Sequence, residues 1–101
     1  MVRYKDLLSP ALLRKRYPFV VEIPLPAMGF RHRLVLIEQW LTDYSETGDY
    51  GRWGARREQQ DIAVWGFRDE VTAAAFRASA EMILKLTDRQ VGNRLAKREA
   101  P

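Results

Sequence analysis

Apolar residues recur along this chain with two different periods, and each change of period marks an element. Phe30, Leu34, Ile37, Leu41 and Tyr44 follow one another at intervals of four, three, four and three, which predicts a helix with one buried stripe. Val35, Leu36 and Trp40 widen its apolar arc, so cover on a second side is expected. Phe19 to Ile23 is β-rich and bounded by Pro18 and Pro24, a strand that sends Phe19, Val21 and Ile23 to one face and Val20 and Glu22 to the other. Tyr50 to Arg57 predicts a second strand, with a bulge or bend expected at Gly51 or Gly54. Glu58–Gln59–Gln60–Asp61 then makes a four-residue hairpin turn, and Ile62 to Phe67 is the third strand.

That third strand runs straight into a helix, and the stretch from Asp61 to Phe76 is the one around which the rest is arranged. Asp69 caps the free amides of the new helix, with Glu70 near the positive end of its dipole. Val71, Ala74, Ala75, Ala78 and Met82 predict a stripe of mostly small residues, and the helix extends to about Leu86, where Thr87–Asp88 ends it. A fourth strand over Met82–Leu86 is the rival reading. Upstream, Ser9–Pro10 begins a short helix through Lys15, with Leu8, Leu12 and Lys15 on one side. Pro24–Leu25–Pro26–Ala27–Met28–Gly29 excludes regular structure, and Ser45–Glu46–Thr47–Gly48–Asp49 has the composition of a loop. From Arg89 onward the chain is either a basic helix or without regular structure.

The core order, strand, helix, strand, strand, helix, predicts an α+β fold of ferredoxin-like βαββα type. It has a three-stranded antiparallel sheet, both long helices on one face, a short N-terminal helix and a basic C-terminal tail. One domain is expected over 1–101, with 18–86 as the folded core, 1–17 as a helical extension and 87–101 as the tail. The face under the helices takes Phe19, Val21, Ile23, Trp53, Ala55, Ala63, Trp65 and Phe67. The opposite face receives Val20, Glu22, Tyr50, Arg52, Arg56, Ile62 and Val64, and is unusually apolar for a solvated sheet. It calls for cover by the N-terminal helix, by the basic tail or by a second copy of the chain.

Composition narrows the chemistry. Eleven aromatics in 101 residues support one core, and the absence of cysteine removes disulfides and thiolate chemistry. This fits a reducing compartment, and the cytoplasm is the expected location. No apolar run approaches a membrane span, and the opening residues make a poor secretory signal. The net charge of +4 is unevenly placed: 1–17 and 85–101 sum to +4 and +3, and 18–84 to −3. Basic ends suit phosphate or an acidic surface, and equally serve solubility.

No constellation of catalytic groups emerges. His32, the only histidine, stands between Arg31 and Arg33 without metal-ligand partners, and neither a metal nor a cofactor is expected. Capping accounts for Asp69 and Glu70. Asp43, Glu46 and Asp49, beside Tyr44 and Tyr50, lack the spacing of a calcium loop and read as solvated. Gly48 to Gly54 is glycine-rich but lacks the lysine and hydroxyl of a phosphate-binding loop and leads into a strand. Tyr50, Arg52, Trp53, Arg56 and Arg57 alternate aromatics with arginines, which suits stacking and phosphate contact or a protein interface. Trp40 and Trp65 read as core.

The strand–turn–helix segment around Phe67 resembles the third-strand region of the RNA-recognition-motif family: an aromatic ends the strand, an acidic turn follows and an alanine-rich helix begins. The likeness covers about sixteen residues and supports the fold. With Phe67 at the family's last aromatic, Ile62 and Val64 stand where its two base-stacking aromatics belong, and Asp61 replaces its glycine. The resemblance therefore argues against that family's mode of RNA binding.

The expectation is a small non-enzymatic protein acting by protein–protein association, as a homodimer or a subunit of a larger assembly. The candidate interface is Val20, Ile62 and Val64, and the candidate binding strand is Tyr50, Arg52, Trp53, Arg56 and Arg57. The alternative is nucleic-acid binding through the basic ends and the Arg52–Arg57 strand. A third reading is a small dimeric enzyme with a pocket lined by Tyr44, Trp40 and His32.

Overall fold

The computed structural model describes residues 9–44 and 49–99. In chain order these form α1 (Pro10–Arg16), β1 (Phe19–Pro24), α2 (His32–Tyr44), β2 (Gly51–Arg57), β3 (Gln60–Phe67), α3 (Glu70–Leu84) and α4 (Asp88–Glu99). The arrangement is α+β, with a three-stranded sheet in the order β1-β3-β2. Both edge strands run antiparallel to β3, so they are parallel to each other and α2 spans the crossing between them. β3 takes the centre because its residues are apolar at both parities; every residue from Ile62 to Phe67 is buried.

On one face of the sheet, Val21, Ile23, Ala63, Trp65 and Phe67 meet Leu36, Ile37 and Leu41 of α2 and Ala73, Phe76, Ala80 and Ile83 of α3. Phe76 is the hub. Its ring lies 5.1 Å from Phe67, 5.2 Å from Trp65 and 5.8 Å from Trp40. The second cover expected for α2 is α4, whose Val91 enters the same core and whose Leu95 packs against it.

Several expectations need correction. α3 does not bury Val71 and Met82, which are 74% and 56% exposed; its stripe is Ala73, Phe76, Ala80 and Ile83. With alanine at most positions of the arc, the two large side chains on a common line decide which way the helix turns. No strand forms over Met82–Leu86, because α3 runs to Leu84. Asp69 caps it as expected, accepting from the Thr72 amide at 2.7 Å and the Thr72 hydroxyl at 2.8 Å. Ser9 likewise caps α1, although Leu12 is exposed and Leu8 lies outside the described residues. The segment from Asp88 is a helix, opened by a reciprocal cap: Gln90 N donates to Thr87 Oγ1 and Thr87 N donates to Gln90 Oε1.

The β2–β3 hairpin departs from expectation twice. Its turn is two residues, Glu58 and Gln59, because Arg57 pairs with Gln60. Both turn residues have positive φ, 51° and 68°, the twist that tight hairpins require and glycine or asparagine adopts more easily. Second, β2 carries no bulge and its faces are inverted. Trp53 stands opposite Val64 and Ala55 opposite Ile62, while Arg52 stands opposite Trp65 and Arg56 opposite Asp61. Trp53 and Ala55 thus share the outer face, away from α2 and α3, and Arg52 and Arg56 share the inner one.

Candidate binding surface

The outer face is not open. Gly51 pairs with Gly66, and this floor without side chains is where Tyr17 and Trp53 lie. A Cβ on Gly66 would sit 2.7 Å from Tyr17 Cβ and 2.8 Å from Trp53 Cη2; one on Gly51 would sit 2.7 Å from Tyr17 Cδ2. The glycines therefore serve close approach and not a bulge. Tyr17, Trp53 and the α1 segment cover the strip beneath them: Val64 has no exposed surface, Ile62 is buried and Val20 is half-buried. Ile62 and Val64 are therefore buried within the chain, and Val20 alone of the three keeps partial exposure.

Polar contacts fasten this cover. Glu22 accepts from Arg57, and from Arg14 at 3.2 Å, while the Arg14 guanidinium lies 5.8 Å from the Trp53 ring centroid. The Arg57 hydrogen bond, helped by Arg14 and opposed by partial burial, holds the Glu22 carboxyl below its ordinary value; Glu22 in turn raises Arg57. Asp49 joins the other end, pairing with Arg68 at 2.9 Å and accepting from the Tyr17 hydroxyl at 3.3 Å. Sequence reasoning missed Tyr17, Arg14 and Arg68. The readable signal was a glycine in each of two neighbouring strands, which marks a place where something presses close.

On the inner face, Arg52 pairs with Glu38 at 3.0 Å and lies 5.1 Å from the Trp65 ring centroid. The Tyr50 hydroxyl donates to the same Glu38 at 3.4 Å; burial and then the Glu38 charge push that phenol up. Arg56 pairs with Asp61 at 3.7 Å. The five candidate residues therefore share one strand and its approach but split between two faces, and each of their arginines is matched to a carboxylate.

β2 is an edge strand. Among the described residues nothing hydrogen-bonds to the backbone groups it turns away from β3, and the space above Gly54 is open. The other edge differs: β1 follows Pro18 and ends on Pro24.

The pocket expected from Tyr44, Trp40 and His32 does not form. Trp40 stacks on Tyr44 at 4.7 Å, but His32 is eight residues from Trp40, about 12 Å along the axis. His32 lines a separate hollow of about 200 Å³ with Arg31, Asp88 and Val91. The basic ends also part company. α1 lies over the outer face and α4 packs on α2 on the inner side, so among the described residues the two basic ends do not share one face; Arg3 and Lys5 lie outside the described residues. Among the described residues no three His, Asp or Glu side chains gather as a metal site, and no helix is long and apolar enough to cross a membrane. Glu46 and Gly48 lie outside the described residues.

No protein-family model, curated protein or solved structure matches this chain. The likeness to the RNA-recognition-motif family thus stays confined to its sixteen residues.

Proposed function

We propose that this protein works by binding and not by catalysis, through strand addition at the free edge of β2. The added strand belongs to a second copy, so that two sheets join edge to edge. In this reading the β1-β3-β2 order, with α2 between the parallel edge strands, is a ferredoxin-like split βαβ unit that leaves β2 as its docking edge.

The observation that carries the proposal is the state of that edge. Natural proteins guard edge strands with proline, bulges or charged side chains. β1 has the prolines. β2 has none and keeps an unbroken register from Gly51 to Arg57. Its three arginines are each matched within the chain to Glu38, Asp61 or Glu22, which removes the like-charge repulsion that would keep two copies apart. The same pairing speaks against the nucleic-acid alternative, in which phosphate must displace those carboxylates.

Light-scattering chromatography at low and high salt tests this. The expected result is twice the 11.8 kDa chain mass, insensitive to salt and free of nucleic acid. A monomer at every concentration removes the proposal. Co-purifying nucleic acid that salt strips away would instead favour phosphate contacts by the basic ends and by Arg52, Arg56 and Arg57.

A further inference from the structure

α4 leans on α2 through only two apolar anchors, Val91 and Leu95, and beyond them the two helices separate into a groove of about 320 Å³. That volume lies near the lower end of small-molecule sites, about 300 Å³. Leu36, Trp40 and Ile83 contribute apolar lining, and Arg94 and Lys97 contribute cations. Three residues apart on α4, they are neighbours on the helix surface. Unlike the β2 arginines, neither has an ion-pair partner among the described residues.

The α2 wall has the opposite character. It presents Asp43 and Gln39, and the Gln39 carbonyl oxygen is buried with no hydrogen-bond partner. An orphaned acceptor is unfavourable. The terminal torsion of glutamine is soft, so turning this oxygen toward a donor in the groove sacrifices no existing bond. The groove is thus polarised, with cations on α4 that lack ion-pair partners among the described residues, the Gln39 acceptor on α2 and an apolar floor between them.

We propose that the α2–α4 groove binds a small aromatic carboxylate bearing a hydrogen-bond donor. Its ring lies on Trp40 and Ile83, its carboxylate meets Arg94 and Lys97, and its N–H or O–H faces Gln39. The inference is independent of self-association at β2, which lies on a different part of the fold.

The test uses the full chain and two probes, indole-3-acetate and 1-naphthoate, followed by ¹H–¹⁵N NMR titration. The expected result is saturable binding that moves the Trp40 indole N–H and Gln39 amide resonances. Indole-3-acetate, which has a donor, should bind more tightly than 1-naphthoate, which has none. Arg94→Gln with Lys97→Gln should weaken indole-3-acetate roughly tenfold or more, the scale of one lost charge-assisted hydrogen bond, without changing the melting temperature. The neutral isostere methyl 1-naphthoate, which also lacks a donor, should bind more weakly than 1-naphthoate. Absence of saturable binding, shifts mapping elsewhere, or equal affinity in the double variant or for the neutral isostere would each overturn the proposal.

Discussion

The two faces of the sheet are closed by different physics. The inner face is closed by rings: Phe67, Trp65, Phe76 and Trp40 pack in sequence, and burying one such side chain stabilises by about 1.5–3 kcal/mol. The outer face is closed by a seven-residue helix with no buried residue of its own, by Tyr17 and the half-buried Trp53 on a glycine floor, and by ion pairs of the kind that contribute about 0–1 kcal/mol each. Neither salt nor pH reaches the first set of contacts; both reach the second. The outer layer is therefore where this fold opens first.

The largest effect expected is in the inner layer. Phe76→Ala removes the ring that three others share and should cost about 3–5 kcal/mol in urea or thermal unfolding. If Tyr17→Ala costs as much, the contrast between the faces is lost. Next comes Gly66→Ala, whose methyl meets Tyr17 Cβ and the Trp53 ring, neither of which is a flexible side-chain end. A loss of about 1–3 kcal/mol is expected, together with faster proteolysis in 10–17 well below the melting temperature. Unchanged protease resistance there would mean that Tyr17 does not hold the cover down.

The smallest effect concerns acid. The Glu22 carboxyl is held below its ordinary value of 4.5, chiefly by Arg57. Its stabilisation is therefore complete above that value and is lost as pH falls through the lower folded value. Hydrogen exchange of 10–17 should accelerate in acid relative to the core, and Glu22→Gln should abolish that acid-dependent step. An identical step in the variant would assign it to another carboxylate, such as Asp49.

The difference between the faces was only half legible in the sequence. The α2 stripe was legible at Ile37 and Leu41, where the four-three spacing holds, but not at its ends, since Tyr44 is exposed and Leu36 is buried beside Ile37; Asp69 was legible because a carboxylate before an alanine-rich run has one obvious use. The register of β2 was not legible. Arg-Trp-Gly-Ala-Arg offers no clean alternation, and β3 is apolar at both parities, so the partner strand cannot arbitrate. The alternation that placed Trp53 and Ala55 inward has the wrong parity, because Trp53 pairs with Val64 and Ala55 with Ile62. The start of α4 was readable and passed over, since Thr87 and Gln90 have the spacing of a capping box. The candidate strand itself was legible as a group of residues, but its division between two faces and the carboxylate matched to each arginine depend on contacts that no local pattern encodes.

The central position of β3 also orders events during synthesis. β1 and β2 pair only with β3, so no part of the sheet can form until the ribosome has made the chain beyond residue 60. Until then β1 has no partner and α1 no floor, because Gly51 and Gly66 come side by side only when β3 is in place. The α1 segment, translated before the sheet it covers, is thus among the last to find its seat.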